Sequence, residues 1–198
     1  EFNLDCFLEI EFEDHYRKFL MPTIRGSETG SKKRYAGLTD QGNMVFKGLE
    51  AVRSDWTPLA REIQIELYRR IFHDENYLEY LHEMIHQIQA GQCDTKLVYR
   101  KRIRRSLNDY MKNIPPQIQA ARKAEAIREQ LGLTAQYQNG GWIEYVITLA
   151  GPQAKEHANS PLDYQHYIDK QLKAVADDIL PFVDTSFEQA VDKQLSLF

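Results

Sequence analysis

Hydrophobic and polar positions along the chain follow one period in its first quarter and another after it. In residues 5–14, Leu8, Ile10 and Phe12 alternate with Glu9, Glu11 and Glu13, the period of two that marks a half-buried strand. A second strand is expected over residues 32–38, with Lys33, Tyr35 and Gly37 on one face and Lys32, Arg34 and Ala36 on the other. The polar stretch Thr39-Asp40-Gln41-Gly42-Asn43 then leads into Met44-Val45-Phe46-Lys47-Gly48-Leu49, which predicts a hairpin. Pro22 to Gly30 reads as a loop, broken at Gly26 and Gly30.

From Thr57 the period lengthens. Thr57 suits an N-cap and Pro58 the first helical position, and Leu59, Ile63, Leu67 and Ile71 follow at four-residue spacing. A second helix runs through Tyr77, Leu81, Met84, Ile85 and Ile88 and stops near Gly91. Residues 97–103 alternate partially as a strand, Pro115-Pro116 open another helix, and Gly140-Gly141 lead into Trp142-Ile143-Glu144-Tyr145-Val146-Ile147, a buried strand by its aromatic and β-branched content. Residues 151–160 read as a loop or insertion. Ser160-Pro161-Leu162-Asp163 forms a capping box before a long helix striped by Tyr164, Tyr167, Ile168, Leu172, Val175 and Ile179. The expected fold class is α+β, a short antiparallel hairpin region followed by a mostly helical unit, with the boundary near Asp55.

Composition narrows the class. The 198 residues are 42% hydrophobic and 27% charged, a globular balance, and no apolar run approaches the roughly 20 residues of a membrane span. Two cysteines, Cys6 and Cys93, make no disulfide framework and suit a reducing cytoplasm. The chain begins at Glu1 rather than Met, so a piece of a longer protein, monomeric and cytoplasmic, is expected. The net charge of −4 argues against a nucleic-acid partner only on average, because charge is felt over about 10 Å.

Two stretches stand against that average. One is Lys32-Lys33-Arg34-Tyr35-Ala36-Gly37-Leu38; the other holds Lys96, Arg100, Lys101, Arg102, Arg104 and Arg105 with no acid between them. Each reads either as a solvated basic edge or as a phosphate contact, with Gly37 beside Tyr35 leaving room for a polyanionic backbone. Arg122, Lys123 and Arg128 would extend the basic surface. His82-Glu83-Met84-Ile85-His86 matches the helical zinc-hydrolase pattern H-E-x-x-H, but the pattern is short, no third ligand is singled out, and two surface histidines on an amphipathic helix are the favoured reading.

Several segments together carry a resemblance. Lys32-Lys33-Arg34-Tyr35, Glu11-Phe12-Glu13 with Tyr16, Lys47-Gly48-Leu49-Glu50, Arg53-Ser54-Asp55-Trp56, Leu97-Val98-Tyr99-Arg100-Lys101 and the stretch from Pro115-Pro116 to Ala120-Ala121 resemble the motifs of family B DNA polymerases. The resemblance implies the end of a palm domain over residues 1–55 and a thumb over 56–193. It implies primer-template DNA as partner, held by Lys32, Lys33, Arg34, Tyr35, Gly37, Arg100, Lys101, Arg102, Arg104 and Arg105. It implies Mg²⁺ in the full enzyme, in a bacterial, nucleoid-associated setting. The family's principal metal-binding aspartates sit in D-x-x-S-L-Y-P and Y-G-D-T-D-S motifs that do not occur here, so Glu11 and Glu13 are accessory at most and the segment alone is expected to be inactive. The ending Gln194-Leu195-Ser196-Leu197-Phe198 resembles the Q-L-x-L-F peptide that docks on the sliding clamp, implying contacts by Gln194, Leu195, Leu197 and Phe198; the alternative is a tail packed on its own domain. A non-catalytic, clamp-tethered DNA-binding module is the second reading, and the zinc peptidase the third.

Overall fold

The computed structural model describes residues 14–22 and 33–192. Two three-stranded antiparallel sheets appear there, one ordered β1 (Tyr16–Leu20), β2 (Tyr35–Thr39), β3 (Met44–Lys47) and the other β4 (Tyr99–Ile103), β5 (Gly141–Thr148), β6 (Gly151–Ala154). Helices α1 (Pro58–Phe72) and α2 (Tyr77–Gln89) follow the first sheet, and α3 (Pro116–Gln130) lies between β4 and β5 in sequence. Near the end, α4 (Tyr164–Tyr167), a π-helical turn at Ile168–Leu172 and α5 (Lys173–Ala176) run on from one another before α6 (Phe187–Asp192).

The expected hairpin forms, with Tyr35 opposite Lys47 and Leu38 opposite Met44. It is shorter than alternation suggests. Gly48 takes a left-handed φ of +64°, and a β-carbon there would lie 2.1 Å from the carbonyl oxygen of Lys33. Only glycine lets the two backbones pass so closely, so β3 stops at Lys47 rather than Leu49. At the other strand Arg34 turns inward before pairing begins, so β2 starts at Tyr35 rather than Lys32. The strand expected over residues 5–14 lies outside the described residues. The partner that β2 does show is β1, which the sequence pattern hid because Arg17 and Lys18 interrupt its alternation.

The helices start where the caps predict. The Thr57 hydroxyl accepts from Ala60 N at 3.2 Å, and the Asn76 side chain accepts from Glu79 N at 3.2 Å. Leu59, Ile63 and Leu67 are buried along α1, and α2 buries Leu81, Met84 and Ile88 before the left-handed Gly91. Three expectations are corrected. Residues 151–160 are not simply a loop: Gly151–Ala154 adds β6 to the second sheet through Gly151, whose φ of +84° makes the turn after Thr148. The cap of the late helix is Asp163, accepting from His166 N at 3.0 Å, not Ser160. That helix is not uniform either. Its π turn carries Gln171, whose Oε1 accepts from Thr57 N at 3.3 Å and Thr57 Oγ1 at 3.0 Å, joining it to the start of α1.

One buried ionic network ties the hairpin to the helices. Arg34 Nη2 donates to Glu50 Oε1 at 2.7 Å, Glu50 Oε2 at 2.8 Å and Asp178 Oδ2 at 2.6 Å. Gln64 of α1 donates to Glu50 at 3.0 Å and accepts from Ala51 N at 2.6 Å. The Glu50 and Asp178 side chains are each 8% exposed. Removing the cation would leave two buried carboxylates facing each other, a loss of about 3–5 kcal/mol for such a broken pair. Arg34→Met is therefore expected to lower unfolding free energy by about that amount in urea titrations, while exposed Lys33→Ala stays within about 0.5 kcal/mol. Equal effects of the two substitutions would rule out a structural role for the network.

Candidate nucleic-acid interface

The hairpin sorts its cations by direction. Lys32 lies outside the described residues. Lys33 is exposed and makes no ion pair among the described residues; neither does Lys47, which the register sets directly across from Tyr35. Sequence motifs do not single out Lys47 as a site residue, although its place in the strand alternation opposite Tyr35 is the signal that marks it. Arg34 faces the other way, into its carboxylates. Gly37 is also corrected: a β-carbon there would lie 2.3 Å from Cδ1 of Tyr16, so a ring already fills the space expected to admit a polyanion. Tyr35 belongs to the same aromatic group, its ring centroid 5.1 Å from that of Phe19 and 6.3 Å from that of Tyr16.

Burial makes the Arg34 network uneven. Burial and then the nearby Glu50 carboxylate push the Asp178 carboxyl up to about 6, against the pull of Arg34. Glu50 opposes burial successfully, through hydrogen bonds from Gln64 and the backbone and the charge of Arg34, and its carboxyl is held below the usual range. The guanidinium of Arg34 stays charged in spite of desolvation because both acids face it.

In the second sheet, strand alternation splits the other basic stretch between two faces. Tyr99, Lys101 and Ile103 point inward, where Lys101 Nζ donates to Asp55 Oδ2 at 3.2 Å. Arg53 grips the same carboxylate at both oxygens, at 3.0 and 2.9 Å. Hydrogen bonding by Arg53, with Lys101 beside it, holds the Asp55 carboxyl down to about 2. A cleft of about 420 Å³ opens beside this triad, lined in part by Trp56, Tyr99, Tyr145 and His166. Its two tyrosines stack on each other, with ring centroids 5.1 Å apart, and Tyr99 also stacks on Tyr167 behind them at 5.8 Å. Arg100 and Arg102 point outward, and Arg104 and Arg105 are exposed past the strand end. Among the described residues these four arginines form no ion pair.

The cations of α3 are engaged with loop carbonyls while keeping their charge, and Lys123 is exposed. Arg122 donates to the carbonyl oxygens of Leu107 and Tyr110 at 2.8 Å each, Lys123 to that of Ala150 at 2.8 Å, and Arg128 to that of Thr134 at 2.9 Å. They tie loops down. The H-E-x-x-H pattern likewise resolves into packing: His82 Nε2 is hydrogen-bonded to the Ala190 carbonyl oxygen at 2.9 Å, and Glu83 accepts from Gln87 at 2.8 Å. Among the described residues no three His, Cys, Asp or Glu side chains converge to hold a metal ion, and no helix is long and apolar enough to cross a membrane. Glu11, Glu13, Gln194, Leu195, Leu197 and Phe198 lie outside the described residues.

Comparison with known proteins agrees with the motifs. The family model of DNA polymerase family B matches residues 2–183. The chain is 54% identical over 194 residues to DNA polymerase II of Escherichia coli, covering 96% of this chain and 25% of that protein. It is 32% identical over 169 residues to DNA polymerase 2 of Aeropyrum pernix, with 78% of this chain and 20% of the relative covered. Over 175 residues it is 31% identical to a DNA polymerase of Thermococcus aggregans, 83% of this chain and 9% of that one. The chain thus spans a quarter or less of the length of these relatives.

Asp178 gives the site a signed pH dependence. Its folded-state carboxyl binds a proton more tightly than the ordinary carboxyl of 3.8, so this stabilisation is fully present below that value and lost as pH rises through about 6. Asp178→Asn removes this titration. Its melting temperature is expected to gain on the unmodified chain as pH is raised from about 4.5 to about 7.5. A gap between the two that stays constant or moves the other way refutes the assignment.

Proposed function

Because this chain belongs to DNA polymerase family B, we propose that it is the part of such an enzyme that grips primer-template DNA, the end of the palm over residues 1–55 and the thumb over 56–193. The observation that carries the proposal is the division of the cations. In a chain of net charge −4, Arg34 and Lys101 are neutralised inside, whereas Lys33, Lys47, Arg104 and Arg105 are exposed with no acid against them among the described residues. Exposed cations on rigid strands and strand ends suit phosphate oxygens, which fix the register of a duplex without reading its sequence. That indifference to sequence fits an enzyme that must copy any template.

In the intact enzyme the supported reaction is template-directed extension. The primer 3′-hydroxyl oxygen gives up its proton and attacks the α-phosphorus of a deoxynucleoside triphosphate; the phosphodiester bond forms as the bond from the α-phosphorus to the oxygen bridging the β-phosphate breaks, and pyrophosphate leaves with that electron pair. This segment's own contribution in that reaction is positioning: its exposed cations hold the duplex. Glu11 and Glu13 would be accessory carboxylates near the chemistry. The tail Gln194-Leu195-Ser196-Leu197-Phe198 supports a separate docking contact, a short apolar plug seated in a pocket of the sliding clamp. Deleting residues 194–198 is expected to abolish clamp binding and leave duplex affinity unchanged.

The duplex grip is tested by salt dependence in the intact enzyme. Lys32→Ala/Lys33→Ala and Arg104→Ala/Arg105→Ala should each lower primer-template affinity and flatten the plot of log affinity against log salt, by about 0.9 for every phosphate that is no longer neutralised. Arg34→Lys should leave that slope unchanged while lowering thermal stability. An unchanged slope in both double variants would sink the reading.

A further inference from the structure

The outer face of the second sheet carries an aromatic ring among its cations. Trp142 is half exposed, at 50% of its surface, although the sequence pattern places it in a buried strand. The guanidinium of Arg100 lies over its ring at 4.5 Å from the centroid. Arg102 stands directly across from Trp142 in the β4–β5 register, and Arg100 directly across from Glu144. The carboxylate of Glu144 is taken by Lys155 at 3.0 Å, so it does not neutralise the arginines. Arg100 and Arg102 share this face two residues apart, about 6.8 Å along the strand. β4 is the edge of its sheet, and Gly140, with a φ of +91°, lets the start of β5 approach Ile103 so closely that a β-carbon would sit 2.8 Å from its carbonyl oxygen. The indole is therefore fixed on a rigid, flat support between two cations.

We propose that Trp142, Arg100 and Arg102 form a platform for unpaired, single-stranded nucleic acid. An exposed indole stacks on an open base face, and unpaired nucleotides offer one at every position whereas a duplex offers them only at its ends. A guanidinium resting on a ring is prepositioned for the phosphate of the nucleotide whose base takes the ring, and Arg102 supplies the next charge along the strand. Charge complementarity selects a polyanion, and the free aromatic surface selects its unpaired form. Stacking accepts any base, so no sequence preference is expected. The inference goes beyond the duplex reading: Arg100 and Arg102 stand among the cations that the resemblance assigns to primer-template DNA, and what is added is Trp142 as a stacking surface for unpaired bases.

The test uses the intact protein with a fluorescein-labelled oligothymidylate and, in parallel, a blunt duplex. Trp142→Ala should weaken oligothymidylate binding at least about fivefold, with Trp142→Phe recovering part of the affinity. Arg100→Gln/Arg102→Gln should flatten the single-strand salt slope by about 0.7 for each phosphate left unneutralised. Duplex affinity should stay unchanged in Trp142→Ala and Trp142→Phe. An oligonucleotide carrying 5-iododeoxyuridine should photocrosslink to the peptide that contains Trp142. The proposal is overturned if Trp142→Ala binds oligothymidylate as tightly as the unmodified protein, if that variant weakens duplex and single strand together, or if crosslinks fall only on other peptides. Failure of the duplex reading has a different signature: no duplex binding by the unmodified protein, with the single-strand contrast between Trp142 and its variants intact.

Discussion

Two buried carboxylates, Glu50 and Asp178, share one guanidinium, and the placing of the first sheet follows from that. Like charges this close inside a protein repel strongly, and only a cation between them makes their burial tolerable. Arg34 can be that cation because the chain turns it inward one residue before β2 begins. Its neighbours then inherit their directions: Lys33 remains outside, Ala36 and Leu38 enter the core, and Tyr35 joins the rings of Tyr16 and Phe19. Asp178 comes from 144 residues away, so one side chain connects the start of the described chain to its end.

The short connection between β3 and α1 gives this arrangement its reach. Gly48 lets the backbone slip past Lys33, Glu50 receives Arg34, and five residues on Asp55 receives Lys101 from the edge of the second sheet. Two acids on one linker thus dock the two basic strands. The cations left over are free because others have been neutralised in their place, and this explains how an acidic polypeptide can present basic surface at chosen spots. Electrostatic attraction for a polyanion depends on where unbalanced charge lies, not on its sum.

Much of this was legible in the sequence wherever the signal is local. Thr57 and Asn76 cap the helices they precede, the hairpin turns at the polar residues 39–43, and Trp142 to Ile147 forms a strand. The misreadings share a cause. Alternation assigns a side chain to a face but cannot say what waits there. Arg34 looked like another exposed cation because its partners are remote in sequence, and Gly37 looked open because the ring that covers it belongs to β1, whose own pattern is broken by Arg17 and Lys18. That Arg122, Lys123 and Arg128 hold loop carbonyls was also hidden, because a carbonyl oxygen at a loop end leaves no mark in composition. Within the family motifs that lie in the described residues, the geometry divides structural residues such as Arg34 and Lys101 from exposed ones such as Lys33 and Arg100, a division that spacing alone does not carry.

The π turn at Ile168–Leu172 has a consequence for how this chain tolerates insertion and deletion. Such a turn holds one residue more than a regular helix of the same span, and each residue swings the helix about 100° around its axis. Taking out a single residue there would restore even winding and leave the downstream end in phase, whereas taking one out of the regular turns beside it, where no wide turn absorbs the change, would rotate that end by roughly a quarter turn and carry the carboxylate at 178 away from the hairpin. The irregular turn is the phase correction that brings the far end of the helix into line with the rest of the molecule.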